Sequence, residues 1–207
     1  MGNRSKSSDR WMREHVEDEW VRRARADGYR SRAVYKLREL DERDALLRPG
    51  MAVLELGSAP GGWTQYVAER VGAGGRVVAS DILPMDAVGD VTFVRGDFTE
   101  ESVALEIERV LGPGGCDLVI SDMAPNLSGV PHADQARAMT LAELALDTAS
   151  RVLGPDGTFV AKVFQGSGFD AFAAALRERF ASVKVRKPRA SRPRSREVYL
   201  VARNLVS

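Results

Sequence analysis

The amino-acid sequence predicts an α/β fold built around a mostly parallel, doubly wound sheet, and three observations carry that expectation. Short apolar runs at 51–56, 76–80, 91–95, 116–121 and 157–164 alternate with helix-length segments near 62–71, 100–111, 133–153 and 168–180. Strands that alternate with helices are joined by crossovers, which place successive strands parallel in one sheet. The runs are nearly continuous, as in MAVLEL and FVAKVF, the pattern of strands covered by helices on both faces. Lastly, 182–187 and 197–202 look like two strands with no helix between them, which forces an antiparallel pairing at one edge.

Residues 1–9 are polar and too poor in apolar side chains to pack, so disorder is expected there. From Arg10 to Arg25 charged residues surround Trp11, Val16, Trp20 and Val21, the pattern of an amphipathic helix. Ser31 is placed to cap a second helix carrying Val34, Leu37 and Leu40 on one face. Pro49-Gly50 then breaks the chain before the first strand. The division expected is a basic N-terminal extension over 1–30, partly disordered and then helical, and one α/β domain over 31–207.

Composition removes several classes of function. No apolar run approaches the ~20 residues of a membrane-spanning helix, and none follows the charged N-terminus as in a signal peptide. A cytoplasmic protein with no membrane contact is expected. The single cysteine, Cys116, excludes an internal disulfide and fits a reducing compartment. With His15 and His132 distant from it, no metal-ligand spacing exists. The net charge of +1 conceals an asymmetry: residues 1–36 carry +4, 37–175 carry −11 and 176–207 carry +8. Seven basic residues and no acidic one fall within 184–196. If the two ends fold side by side they form a basic face on an acidic body, which suits a polyanion.

The first strand runs into Glu55-Leu56-Gly57-Ser58-Ala59-Pro60-Gly61-Gly62-Trp63. Glycines at this point let a ligand approach the backbone at the carboxyl edge of the sheet. The G-x-G-x-x-G pyrophosphate turn is absent, and alone such a turn is simply a tight connection. Acids close the following strands, however: Asp81 after RVVAS, Asp97 after VTFVRG and Asp122 after CDLVIS. One such aspartate is most simply a turn or capping residue. Three at the ends of adjacent parallel strands surround one crevice, and their repulsion calls for a ligand with hydroxyls, amines and positive charge. S-adenosylmethionine offers all of these, whereas the pyrophosphate of NAD fits an acidic crevice poorly.

The chemistry narrows further. A carbon-5 base methyltransferase needs a nucleophilic cysteine, and Cys116 opens a buried strand without a basic neighbour. Amino-methyltransferases often carry Asn/Asp-Pro-Pro-aromatic after the fourth strand, where this chain reads Ser121-Asp122-Met123-Ala124-Pro125-Asn126. Lys162 lies inside the apolar FVAKVF, a costly place unless paired. A strand-end lysine with its ammonium reaching water is the plain alternative. Beside Asp122 on the neighbouring strand, a role in chemistry is the expectation.

Five stretches, in order and across nearly the whole chain, carry a family resemblance. They are Arg30-Ser31-Arg32-Ala33-Val34-Tyr35-Lys36-Leu37, Leu56 to Trp63, Ser121 to Asn126, Lys162-Val163-Phe164-Gln165-Gly166 and Ser195-Arg196-Glu197-Val198-Tyr199. In these the sequence closely resembles the FtsJ-type family of large-subunit ribosomal RNA uridine 2′-O-methyltransferases. The resemblance implies a Rossmann-like S-adenosylmethionine-dependent methyltransferase fold, with S-adenosylhomocysteine as product and no metal. It implies a catalytic tetrad of Lys36, Asp122, Lys162 and Glu197. It further implies Gly61 and Trp63 around the methionine portion of the cofactor, Asp81 and Asp97 on the adenosine and Asp122 near the reacting end, with Gly57 also in the cofactor site. Trp63 is equally well explained as core packing. Lys162 is either the base that takes the hydroxyl proton or a charged group that only orients the hydroxyl. Burial and Lys36 favour loss of its proton, and the two carboxylates oppose it.

The implied substrate is 23S ribosomal RNA, expected on the assembled large subunit and met by a monomer. Arg30, Arg32, Lys184, Lys187, Arg192, Arg194 and Arg196 are candidates for phosphate contacts. Two rivals stand beside this reading: a 2′-O-methyltransferase for tRNA or another RNA, and a non-catalytic RNA-binding Rossmann domain. The second has no use for a lysine on strand five. A nicotinamide-dependent oxidoreductase is a more distant third.

Overall fold

The computed structural model describes residues 18–126, 128–192 and 194–206. The disorder expected over 1–9 and the start of the N-terminal helix, with Trp11, His15 and Val16, lie outside the described residues. The first described helix, α1 (Glu19–Ala26), starts where the Asp18 carboxylate accepts from Trp20 N at 3.0 Å, and Arg23 and Arg25 sit in its last turn. Both ends thus oppose the helix dipole with the appropriate charge. It buries Val21 and Ala24, and Trp20 packs on Tyr35 of α2 (Val34–Asp44) with ring centroids 5.2 Å apart. Ser31 does not cap α2. Its hydroxyl accepts from Ala33 N at 3.1 Å and its carbonyl from Val34 N, so a tight turn uses the serine and the helix begins three residues later.

From there strand and helix alternate: β1 (Ala52–Leu56), α3 (Gly62–Val71), β2 (Arg76–Asp81), β3 (Thr92–Arg95), α4 (Glu101–Leu111) and β4 (Cys116–Ser121). The chain continues through α5 (Pro131–Val152), β5 (Leu153–Phe164), α6 (Phe169–Arg179), β6 (Phe180–Arg186) and β7 (Glu197–Leu205). The sheet order is β3-β2-β1-β4-β5-β7-β6. Strands β1 to β5 pair in parallel, while β7 runs antiparallel to both β5 and β6. The expected antiparallel pairing is therefore at this edge, with the reversed strand β7 one place in and β6 outermost. β5 starts at Leu153, earlier than 157. The register jumps from Cys116↔Leu153 to Leu118↔Thr158, so Gly154–Gly157 form a bulge with Asp156 at φ 61°. A Gly-Pro-Asp-Gly turn signal is here spent inside a strand.

Helices cover both faces. One core packs α4, α5 and α6 on the sheet through Ile107, Leu111, Leu146, Phe159 and Phe172. The other packs α1, α2 and α3 through Leu37, Leu40, Val53, Trp63 and Tyr199. Asp44, at the end of α2, joins that helix to the antiparallel arm. Its carboxylate takes two bonds from the Arg186 guanidinium at 2.7 and 2.6 Å, with Lys184 4.0 Å away, and Arg203 reaches its carbonyl. The Arg186 hydrogen bonds hold the Asp44 carboxyl below its usual range despite burial. Removing one partner of so buried a pair costs about 3–5 kcal/mol.

Candidate active site

The strand order reverses direction at β1 and β4, so a crevice opens there beyond the carboxyl ends of the strands. The turn after β1 shapes its floor. Gly57 N and Ser58 N both donate to Ser80 O, and the turn passes through a cis Ala59-Pro60 bond into α3. Gly57 has φ 79°, and a Cβ there would come 2.4 Å from Met123 Cγ. Gly61 has φ 104°, and a Cβ would come 2.8 Å from Arg30 Nη1. Only glycine permits both the backbone and the approach.

Acids ring this crevice. Asp81 accepts from Ala59 N at 2.9 Å and from Leu83 N at 2.8 Å, and Asp97 accepts from Thr99 N and Oγ1. Each therefore also fixes its own turn, the simpler role open to it. Sequence reasoning missed Glu55 on β1, which is 1 % exposed and accepts from Thr64 Oγ1 at 2.7 Å. Burial, reinforced by Asp122 and Asp81, pushes its carboxyl up to about 8. The signal was present: an acid inside MAVLEL is as costly as the lysine inside FVAKVF. Asp81, Asp97 and Asp122 around the glycine turn form a set of acceptors suited to S-adenosylmethionine, with its hydroxyls, ammonium and sulfonium, while Glu55 lies buried beneath them.

Next to the crevice the four expected catalytic residues come together as two ion pairs. Lys162 Nζ lies 3.1 Å from Asp122 Oδ1 and donates to Asp122 O at 2.6 Å. Lys36 Nζ lies 2.7 Å from Glu197 Oε1, an oxygen that also accepts from Ser191 Oγ at 2.7 Å. Tyr199 couples the pairs: its hydroxyl donates to Asp122 Oδ1 at 2.7 Å, and Lys36 Nζ sits 5.8 Å from its ring centroid. This tyrosine also escaped the sequence reading, because tyrosine in EVYLVA is an ordinary strand residue. Burial raises the Asp122 carboxyl, but Lys162, Lys36 and Tyr199 outweigh it and hold the group below its usual range. Burial and the same carboxylate drive the Tyr199 phenol well above 10. Trp63 is 3 % exposed, donates from Nε1 to Ala33 O at 2.7 Å and packs 5.8 Å from the Tyr199 ring. Packing accounts for all of these contacts.

The seven expected phosphate ligands divide. Arg30 donates to Asp86 O and Ala87 O at 2.7 Å and to Pro60 O at 3.4 Å, clasping the 86–87 loop to the glycine turn. Arg32 holds Asp18 and Ala190 O, Lys184 faces Asp44, and Lys187 bonds Ser195 O and Glu197 O. Arg32, Arg192 and Arg194 border a cavity of about 400 Å³ that contains Lys36 and Glu197, and Arg194 and Arg196 border the next one.

Known proteins share this sequence and fold. The profile of the FtsJ-like methyltransferase family matches residues 29–205. A Pseudomonas aeruginosa protein named ribosomal RNA large subunit methyltransferase E is 58% identical over 97% of both chains. A Cellvibrio japonicus protein of the same name is 57% identical over 98% of this chain and 96% of its own. Among solved structures, a putative ribosomal RNA methyltransferase of Plasmodium falciparum superposes with a TM-score of 0.76 at 28% identity, covering 86% of this chain and all of that one.

Proposed function

Because the chain belongs to the FtsJ-like methyltransferase family, we propose that it methylates the 2′-hydroxyl of a uridine ribose in large-subunit ribosomal RNA from S-adenosylmethionine. The observation that carries this reading is the mostly buried Lys162 amine, held by both oxygens of Asp122 that face it, beside the acidic crevice. The names of the close relatives point to the same RNA. The cytoplasm as its place, the assembled subunit as its substrate and a monomer as the working form belong to the same proposal.

A ribose hydroxyl is a weak nucleophile, and its proton must leave as the new bond forms. The cofactor supplies a methyl group activated on a sulfonium. Lys162 Nζ, neutral once its own proton has passed to solvent, would take the hydroxyl proton as the oxygen receives the methyl group that the cofactor would supply. Asp122, 3.1 Å away, stabilises the ammonium that results. Glu197 and Lys36 orient the ribose, and Tyr199 keeps the two pairs in register. Gly57 and Gly61, at positive φ, would shape the turn that holds the cofactor, with Asp81 and Asp97 on its adenosine. Arg192, Arg194 and Arg196 hold the RNA backbone, and Arg30, Arg32, Lys184 and Lys187 serve the framework.

The test is transfer of label from S-adenosylmethionine to large subunits lacking the modification, read as alkali-stable dinucleotide, which only 2′-O-methylation gives. The expected result is label with the wild type and none with Lys162→Ala. Alkali-labile product would mean that a base is methylated and would remove the tetrad. Label on tRNA but not on subunits would keep the chemistry and replace the substrate.

A further inference from the structure

A second cavity, of about 270 Å³, opens on the far side of Arg194 and Ser195 from the one that holds Lys36 and Glu197. Its position follows from the strands that bear the catalytic groups. Phe164, in its wall, lies two residues beyond Lys162 on β5, and Pro125 lies three beyond Asp122 after β4. Side chains two apart on a strand share a face about 7 Å apart, so the cavity begins one nucleoside's reach from the Lys162 amine. Pro125, Pro131, Ala138 and Phe164 give it flat apolar walls, Arg194 and Arg196 supply positive charge at its side, and the Asp134 carboxylate in its lining is taken up by Ser128 and Gly129 N. An apolar slot beside two guanidiniums complements a nucleotide, whose ring is apolar on its faces and whose phosphate is anionic.

One polar group in the slot has a fixed sense. Gln135 is 8 % exposed, and its Nε2 donates to Phe164 O and Ser167 O, each at 3.0 Å. Both amide hydrogens are thereby used, so Oε1 is an acceptor only. It accepts from no described residue. Gly166 closes on this amide, since a Cβ there would come 3.2 Å from Gln135 Cδ. The two carbonyls that Nε2 meets keep the amide from turning to offer a donor instead. Oε1 therefore offers a ligand an acceptor and no donor.

We infer that this cavity receives the uracil ring of the nucleotide being methylated, stacked between Phe164 and the proline walls with its N3–H directed to Gln135 Oε1. Cytosine presents an acceptor at N3 and meets that oxygen with repulsion, so the slot favours uracil. The inference rests on the proposed 2′-O transfer and extends it to the base. It also accounts for Gln135, which the transfer chemistry leaves without a task.

The test uses the full-length protein and large subunits assembled on ligated RNA carrying uridine, cytidine or an abasic ribose at the target. The abasic target should lower kcat/KM at least tenfold, and cytidine should do the same. An abasic site at either neighbouring nucleotide should cost less than threefold. In Phe164→Ala the abasic penalty should shrink below threefold, with S-adenosylmethionine affinity unchanged by calorimetry. A wild type indifferent to the abasic target overturns the inference, as does a larger penalty at a neighbour, which would give the slot to a flanking base. Absence of alkali-stable product on the uridine substrate would sink the proposed reaction itself, and the cavity assignment with it. The substrate series on the unaltered protein decides the matter even if the variant fails to fold.

Discussion

The two arms of the sheet reach the same crest by opposite routes. In the parallel arm, β3-β2-β1-β4-β5, every strand delivers its carboxyl end, and with it Asp81, Asp97, Asp122 and the glycine turn. In the antiparallel arm β7 runs the other way, so its first residues arrive there instead. Glu197 opens β7 opposite Phe164 at the end of β5, and Tyr199 follows opposite Lys162. Reversal of one strand therefore sets a carboxylate, a tyrosine and the basic 187–196 loop beside the crevice without any further element. The difference in charge follows: the parallel arm gathers acids, suited to a cationic cofactor, and the loop feeding β7 gathers arginines, suited to RNA.

Substitutions that separate the arms test this division. Lys162→Ala, where the arms meet, should lower single-turnover methyl transfer by about 10²–10⁴-fold, the usual worth of a general base. Its S-adenosylmethionine affinity should stay within threefold of the wild type. Gly57→Ala strains a backbone at φ 79° and drives a Cβ onto Met123. Left-handed strain of about 1–2 kcal/mol plus that clash predicts at least tenfold weaker S-adenosylmethionine in calorimetry, with RNA binding intact. Arg192→Ala should do the reverse, weakening RNA a few-fold and reducing the slope of log affinity against log salt by about 1. An unchanged slope would remove Arg192 from the RNA surface.

The smallest effect concerns stability on the parallel arm. Burial raises the Glu55 carboxyl from 4.5 to about 8, so between those values the folded chain keeps a proton that the unfolded chain has lost. Stability from this group therefore falls as pH rises through the window, since the unfolded state binds fewer protons. Glu55→Gln has no proton to lose. Its melting temperature should exceed that of the wild type by a growing margin from pH 5 to pH 8, and the two curves should run parallel below pH 4.5. A constant margin across the range would mean that Glu55 is charged in the folded protein.

Much of the parallel arm was legible because continuous apolar runs and intervening helices leave few topologies open. The four residues of the two ion pairs were legible through the cost of Lys162 in its strand and through the family resemblance. What escaped did so for local reasons. Ser31 satisfies Ala33 N in a turn rather than a helix end, and Gly154–Gly157 bulges within β5 where its composition reads as a break. The partners of Arg30 are carbonyls 56 and 57 residues away, and no local pattern reports such a contact. Net basic charge could not tell an arginine that braces a loop, such as Arg30, from one that borders a cavity, such as Arg192.

The Asp44 staple has a kinetic meaning. It ties α2, which carries Lys36, to β6 and so to β7, which carries Glu197. Segments joined in this way open as one cooperative unit, and their amides exchange with solvent hydrogen at a common rate. Lys36 and Glu197 then leave and return in the same event. A molecule partly opened by heat would lose both side chains at once while keeping Lys162 and Asp122 on the central strands, so loss of the second ion pair would come in one step and reverse in one step.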